Sequence, residues 1–270
     1  MAIIGISGKM QSGKDTVALI IQYLTDPYAV KDKLTYQQWK EEHDTVMDGC
    51  NRTASEWETK RWADGVKDCV CIMIGCTREQ LEDIDFKNKP LGEEWRRWFG
   101  IHYKVVSNTN NGRMTPYFNT KEEAEEEYKF DSRFQISSFE SELLTPRMVM
   151  QQVGTEGGRL TIHPNVWVYS LISKYVPYSA RGSEYEFEES MWLIPDTRFV
   201  NEAEAIKKKK GFVIRVNTNR AGMVSNHPSE TSLDDYKGFD YIIDNSGTLD
   251  ELVDKVRVIF SDICLKWEQE

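Results

Sequence analysis

The chain has 270 residues, 40% of them apolar and 29% charged, with a mean hydropathy of −0.57. That is the balance of a water-soluble globular enzyme with enough chain for a full core, and it excludes a membrane-embedded protein. Thirty-four Lys and Arg against 44 Asp and Glu leave a net charge of −10. This disfavours a nucleic-acid coat or an anionic-membrane binder, while a small anionic ligand could still be held by locally gathered cations.

Ala2–Ser7 is an apolar run bounded by glycine and predicts a buried parallel strand. A glycine-flanked loop, Gly8 to Gly13, leads into a helix from Lys14 to Leu24 that is apolar over most of its girth. Residues 25–56 are polar, with room for two short helices. Trp57–Ala63 predicts a second strand, and Asp64 caps a helix with Val66, Val70, Met73 and Ile74 at spacings of three and four. Thr77-Arg-Glu-Gln80 is a capping box. His102–Ser107 and Met114–Phe118 flank NTNNGR, a hairpin signal, and Thr120 caps the acidic helix KEEAEEEY. Thr145-Pro146 opens a helix that Gly154 ends, and His163-Pro164 starts another reaching Tyr175. Met191–Pro195 is a third strand, followed by Asp196. Asn201–Lys210 is a helix stopped by Gly211, Phe212–Val216 and Asp240–Ile243 are further strands, and Thr248–Leu265 is a closing amphipathic helix. Five short apolar strands separated by helices predict an α/β fold with one doubly wound, five-stranded parallel sheet. The organisation expected is a single domain with inserts at residues 25–56 and 100–140.

The glycine loop carries the chemistry. Gly8-Lys9-Met10-Gln11-Ser12-Gly13-Lys14-Asp15-Thr16 matches G-x-x-x-x-G-K between a strand and a helix, the context a phosphate-binding loop requires. Its glycines let backbone N–H groups turn inward around phosphate oxygens, and the helix N-terminus adds partial positive charge. Lys14 is placed to follow the β- and γ-phosphates. The position after the lysine usually holds Ser or Thr, whose hydroxyl touches Mg²⁺; here it is Asp15, with Thr16 next. Asp196 is the natural second acid for Mg²⁺, because it follows an apolar strand. Its other reading is the N-cap of the next helix.

Such a loop serves kinases, GTPases, motors and helicases alike. The guanine-reading N-K-x-D of GTPases is absent from the chain, and a motor or helicase would need a basic track. A kinase for a small anion needs a second group of cations. Arg147 and Gln151 lie four apart on one helix and face the same way, so a guanidinium could fork onto a phosphate while an amide reads a base edge. The plainer alternative is a solvated helix face. Arg159 follows GTEGG, a flexible link between helices. Arg198 follows the third strand, at the sheet edge where doubly wound folds bind ligands, and Lys67 lies one turn into the helix after strand two. Lys104, Arg113 and Arg133 are further candidates for a closing set that excludes water.

The stretches IIGISGKMQSGKDT, WADGVKD, CTREQLED, TPRMVMQQVGTEGGRLTIHPNVWV, IPDTRFVNEAEAI, NHPSETSLDD and DYIIDNSGTLDEL run nearly end to end. Together they resemble the deoxynucleoside monophosphate kinases of tailed bacteriophages. The resemblance implies an adenylate-kinase-like fold and the reaction ATP + dNMP → ADP + dNDP with Mg²⁺. It implies ATP around Gly8, Lys9, Gln11, Ser12, Gly13, Lys14, Asp15 and Thr16, with Asn245 and Gly247 along the adenine. The acceptor falls to Lys67, Arg147, Gln151 and Asp196, and catalysis to Lys14, Arg147, Arg159 and Arg198. Asp15, Thr16 and Asp196 are the candidates for Mg²⁺. The partner implied is a small-molecule dNMP, with no nucleic acid and no membrane; a homodimer is compatible with this. The rival readings are another small-anion kinase, of phosphomevalonate or dephospho-CoA type, and an ATP-switched regulatory or packaging protein.

Other features have plainer readings. Lys207–Lys210 fills a helix's last turn before Gly211, where lysines suit the dipole. Five cysteines, Cys50, Cys69, Cys71, Cys76 and Cys264, are an odd set without metal-site spacing and read as reduced thiols of a cytoplasmic protein. The N-terminus lacks the basic region and cleavage site of a secretory signal. Trp95 and Trp98 read as packing, His227 as a turn residue, and Glu230 and Asp234 as helix-entry acids.

Overall fold

The computed structural model describes residues 2–45, 55–105, 113–114, 134–175, 191–219 and 231–269, together with Glu122, Glu123, Glu126 and Lys129. The chain divides into two compact units, residues 1–65 with 163–270, and residues 66–162.

The first unit is built on five parallel strands: β1 (Ala2–Gly8), β2 (Trp57–Thr59), β6 (Met191–Ile194), β7 (Phe212–Asn217) and β8 (Tyr241–Asp244). They lie in the order β2-β6-β1-β7-β8. The register pairs Ile4 with Leu193 on one side of β1 and with Phe212 on the other. Strand alternation sends side chains to both faces of the sheet. Ile4, Ile6, Leu193, Ile214 and Val216 face one core, with α1 (Lys14–Thr25) and α10 (Leu249–Glu268). Ile3, Trp192, Ile194 and Val213 face the other, with α8 (Val166–Ile172) and α9 (Val200–Lys208). This is the doubly wound parallel sheet read from the sequence.

Two short helices occupy the polar stretch after α1: α2 (Pro27–Asp32) and α3 (Tyr36–Thr45). Asp26 caps the first and accepts the Trp39 indole N–H at 3.0 Å. Strand two is shorter than expected. It ends at Thr59, because the N–H groups of Trp62 and Ala63 turn away to the Asp196 carboxylate. The α9 helix stops as expected at Gly211, with Lys210 left-handed (φ 56°) and Gly211 N–H on the Ile206 carbonyl.

The second unit holds most of α4 (Asp64–Ile74), then α5 (Arg78–Glu82) and α6 (Ile84–Asn88). A three-stranded antiparallel sheet follows, of β3 (Arg96–Val105), β4 (Arg113–Met114) and β5 (Phe134–Leu143), in the order β4-β3-β5. The antiparallel pairing falls earlier than the expected hairpin, Ile101 with Met114 and His102 with Arg113; residues 106–112 and 115–118 lie outside the described residues. Thr77 forms its reciprocal capping box with Gln80, and Thr145 caps α7 (Pro146–Gln151). Gly154 does not end that helix. The chain continues as a π-helical run, Gln152–Ile162, so GTEGG is wound rather than a link.

Candidate active site

The loop between β1 and α1 is built to hold phosphate. Gly8 lies so close to β7 that a Cβ there would sit 2.6 Å from the Val216 carbonyl oxygen. Gly13 is left-handed, φ 96°, and a Cβ there would strike the Asn245 amide. These are the two positions where only glycine lets the chain turn and approach. Between them Ser12 N–H donates to the Lys9 carbonyl at 3.1 Å. Lys14 is buried and folds back, its ammonium donating to the same carbonyl at 2.6 Å. Ser12 Oγ is buried with no hydrogen-bond partner. A glycine cradle, a buried lysine, an orphan hydroxyl and the N-terminus of a 12-residue helix fit a polyphosphate. For Mg²⁺ the adjoining donors are hard oxygens, the exposed Asp15 carboxylate and the half-buried Thr16 hydroxyl. That set suits a cation that arrives with phosphates and keeps its waters. Among the described residues no cluster of three His, Cys, Asp or Glu forms a metal cage.

Asp196 sits at the end of β6, buried, with one carboxylate oxygen accepting Trp62 N–H at 3.0 Å and the other Ala63 N–H at 3.2 Å. It does not cap α9; the Glu202 carboxylate does, accepting the N–H groups of Arg198 and Phe199 at 2.8 and 3.0 Å. Burial pushes the Asp196 carboxyl above its ordinary range, opposed by those two N–H groups and by the charges of Arg61 and Arg198. Arg61 also pairs with Asp15 at 2.6 Å. Lys14, Asp15, Arg61, Asp196 and Arg198 thus gather at the C-terminal edge of the sheet. Asp196→Asn is expected to lower stability by about 1–2 kcal/mol, because an amide offers one acceptor where two N–H groups need one each. Relief of carboxylate burial offsets part of the loss. A thermal melt against wild type checks it; an unshifted melt would mean that the carboxylate does not hold this loop.

Asn245 is buried, its Nδ2 donating to the Ser12 carbonyl at 2.9 Å and its backbone N–H to Asn217 at 2.7 Å. Its amide therefore braces the phosphate loop from below. A cleft of about 500 Å³ beside it is lined by Gln11, Lys14, Asp15, Thr16, Asn245 and Leu249. Gly247 follows on the turn into α10. Lys9 pairs with Asp234 at 3.3 Å. Asp234 in turn holds Arg215 at 2.8 Å, and Arg215 Nη1 reaches Ser7 Oγ at 3.2 Å. Asp234, expected to be a helix-entry acid, thus ties the start of the loop to β7. Arg133, His227 and Glu230 lie outside the described residues.

Within the second unit, Arg147 and Gln151 stand one turn apart on α7, both exposed. Arg147 Nε donates to Asn88 Oδ1 at 2.8 Å. Lys67 pairs with Glu82. Burial pulls the Lys87 ammonium below its ordinary range; Glu82 opposes this, and the nearby charges of Lys67 and Arg147 reinforce it. Lys67, Lys87 and Arg147 therefore lie within reach of one another's charge, with Glu82 and Asp83 among them. Arg159 lies within the π-helical run. Lys87 and Asn88 belong to no recognisable motif; the basic run KNK at 87–89 is their only sequence signal.

Parallel sheet, phosphate loop and buried lysine define a P-loop nucleotide-binding fold. A sequence model of the deoxynucleotide monophosphate kinase family matches residues 2–256. The deoxynucleoside-5'-monophosphate kinase of Escherichia phage T5 is 23% identical over 257 residues, covering 86% of this chain and 84% of that protein. A protein of Acanthamoeba polyphaga mimivirus assigned to deoxynucleotide monophosphate phosphorylation is 30% identical over 121 residues. That match covers 42% of this chain, and the chain spans 59% of the mimivirus protein. The chain belongs to the deoxynucleotide monophosphate kinase family, and phosphoryl transfer to deoxynucleoside monophosphates is the activity that membership carries. No helix among the described residues is long and apolar enough to cross a membrane.

Proposed function

We propose that the enzyme transfers the γ-phosphoryl group of ATP to a deoxynucleoside 5'-monophosphate in the cytoplasm. The observation that carries this is the glycine cradle with Lys14 buried over it. The donor phosphates belong to Gly8–Thr16, with Asn245 and Gly247 toward the base. The acceptor belongs to the Arg147 group, Arg147 and Lys67 on its phosphate and Gln151 on its base edge. Mg²⁺, when bound, would neutralise phosphate charge and orient the transferred group; Asp15 and Thr16 are the residues that would hold it. Asp196 serves by fixing the loop that carries Arg61.

The acceptor phosphate is itself a nucleophile near neutral pH, so no general base is needed. Catalysis is alignment and charge neutralisation by Lys14, Arg147, Arg159 and Arg198. The test is an ADP-release assay across dAMP, dGMP, dCMP, dTMP, their ribonucleotides and phosphomevalonate. Turnover with at least one dNMP, dependent on Mg²⁺, is the expected result. Turnover confined to phosphomevalonate, or none with any acceptor, would overturn the reading.

A further inference from the structure

Arg61 belongs to no motif, yet the turn that carries it is held unusually firmly. Its N–H donates to Asp64 Oδ2 at 2.9 Å, and the next two N–H groups, of Trp62 and Ala63, are both held by Asp196. The Trp62 indole is buried, its N–H on Thr197 Oγ1 at 3.3 Å. Lys60, on the other side, donates its N–H to the Leu193 carbonyl at 2.9 Å. From this anchored base the side chain extends to the phosphate loop, where Nη2 meets Asp15 Oδ1 at 2.6 Å.

The tip is as open as the base is fixed. The side chains of Arg61 and Asp15 are 37% and 62% exposed. An exposed ion pair of this kind contributes little to folding. A rigid base that ends in a guanidinium resting on an exposed carboxylate is how a protein presents a cation to a ligand. Asp15 also sets a problem of its own: an unneutralised carboxylate next to Lys14 would repel incoming phosphates. The pair cancels that charge while the loop is empty.

We propose that Arg61 is a further phosphate-contacting residue of the donor site, parked on Asp15 until a nucleotide enters and then transferred to its phosphates. This rests on the kinase reading above. A polyphosphate carries more charge than one carboxylate and offers several oxygens to the planar fork, so the exchange is favourable. It leaves the Asp15 carboxylate facing the cation that accompanies the phosphates.

The experiment is equilibrium binding of ATP to the full chain by calorimetry, without acceptor, with and without Mg²⁺. Arg61→Gln is expected to weaken ATP roughly tenfold or more, the range of a lost charge-assisted hydrogen bond. Asp15→Asn is expected to tighten ATP in the absence of Mg²⁺. The double variant decides between contact and mere neutralisation. If Arg61 touches phosphate, Arg61→Gln with Asp15→Asn binds roughly tenfold more weakly than Asp15→Asn alone. Equal affinity of the double and of Asp15→Asn would overturn the proposal, as would wild-type affinity in Arg61→Gln. Should Arg61→Gln not fold, Arg61→Lys keeps the charge without the fork and is expected to lose about threefold or more; wild-type affinity there would equally overturn it. A wild-type chain that binds no ATP would instead bring down the kinase reading itself.

Discussion

Lys14→Ala is expected to lower turnover by roughly a hundredfold or more, an electrostatic loss of about 3 kcal/mol. Lys14 is the cation that the loop itself delivers to the phosphoryl group in transit. Its ammonium rests on the Lys9 carbonyl at 2.6 Å, at the centre of the turn the phosphates would occupy. Leaving that carbonyl for phosphate oxygens costs the loop little, because Ser12 N–H also donates to it at 3.1 Å. The same second donor keeps the carbonyl satisfied in the alanine variant. Truncation also removes a charge from a buried position, which is costly to keep there, so the fold is expected to persist. The check is steady-state turnover with saturating ATP and dNMP beside a thermal melt. A folded variant with most of its activity would remove the phosphate loop from the mechanism.

What the sequence made legible was local. Strand, loop and helix from Ala2 to Thr25 announce themselves because their determinants lie within a few residues: a continuous apolar run, two glycines, a lysine at the helix start. The same holds for the Thr77 capping box and the Thr145-Pro146 helix start. The contacts that complete the site join distant positions. Asp15 meets Arg61 across 46 residues, Asp196 holds Trp62 across 134, and Asn245 braces Ser12 across 233. Nothing in the spacing of one chain announces such pairs. Asp196 shows the consequence. Its place after a strand left a helix cap open, but Glu202, four residues after Arg198, takes the cap, and the Asp196 carboxylate holds the loop after β2.

Two misread elements have physical causes as well. β5 escaped notice because it carries an extra residue, Ser137, where the pairing steps from His102–Ser138 to Tyr103–Ile136. Bulges of that kind break the period-two pattern by which a strand is recognised. Gly154 suggested a stop because glycine is a poor helix former. Yet a Cβ there would meet Val66 only at ordinary contact distance, 3.6 Å, and Gly158 further along is buried. Packing keeps the chain wound where propensity alone would release it.

Arg147 and Gln151 are expected to fail in different ways. Arg147 presents a planar fork beside Lys67 and Lys87, and phosphate is common to every acceptor. Arg147→Ala should therefore raise KM for all dNMPs and lower kcat, because alignment of that phosphate limits the chemistry. The combined loss in kcat/KM is expected to be roughly a hundredfold, the scale of a charge-assisted bidentate contact. The Asn88 amide that Arg147 engages is exposed, so its loss exposes nothing to an apolar environment and the melt should hold. Gln151 lies one turn on and can both donate and accept. Gln151→Ala should change the ranking among bases, since an unpaired base edge costs about 1–3 kcal/mol only where the amide bonded it. ATP affinity should barely move in either variant, because the donor is held by the loop of the other unit. The measurement is a four-dNMP kinetic panel with ATP varied separately. Equal scaling of all four acceptors by Gln151→Ala would reduce that residue to helix surface. Weakened ATP with unchanged dNMP in Arg147→Ala would exchange the donor and acceptor sides.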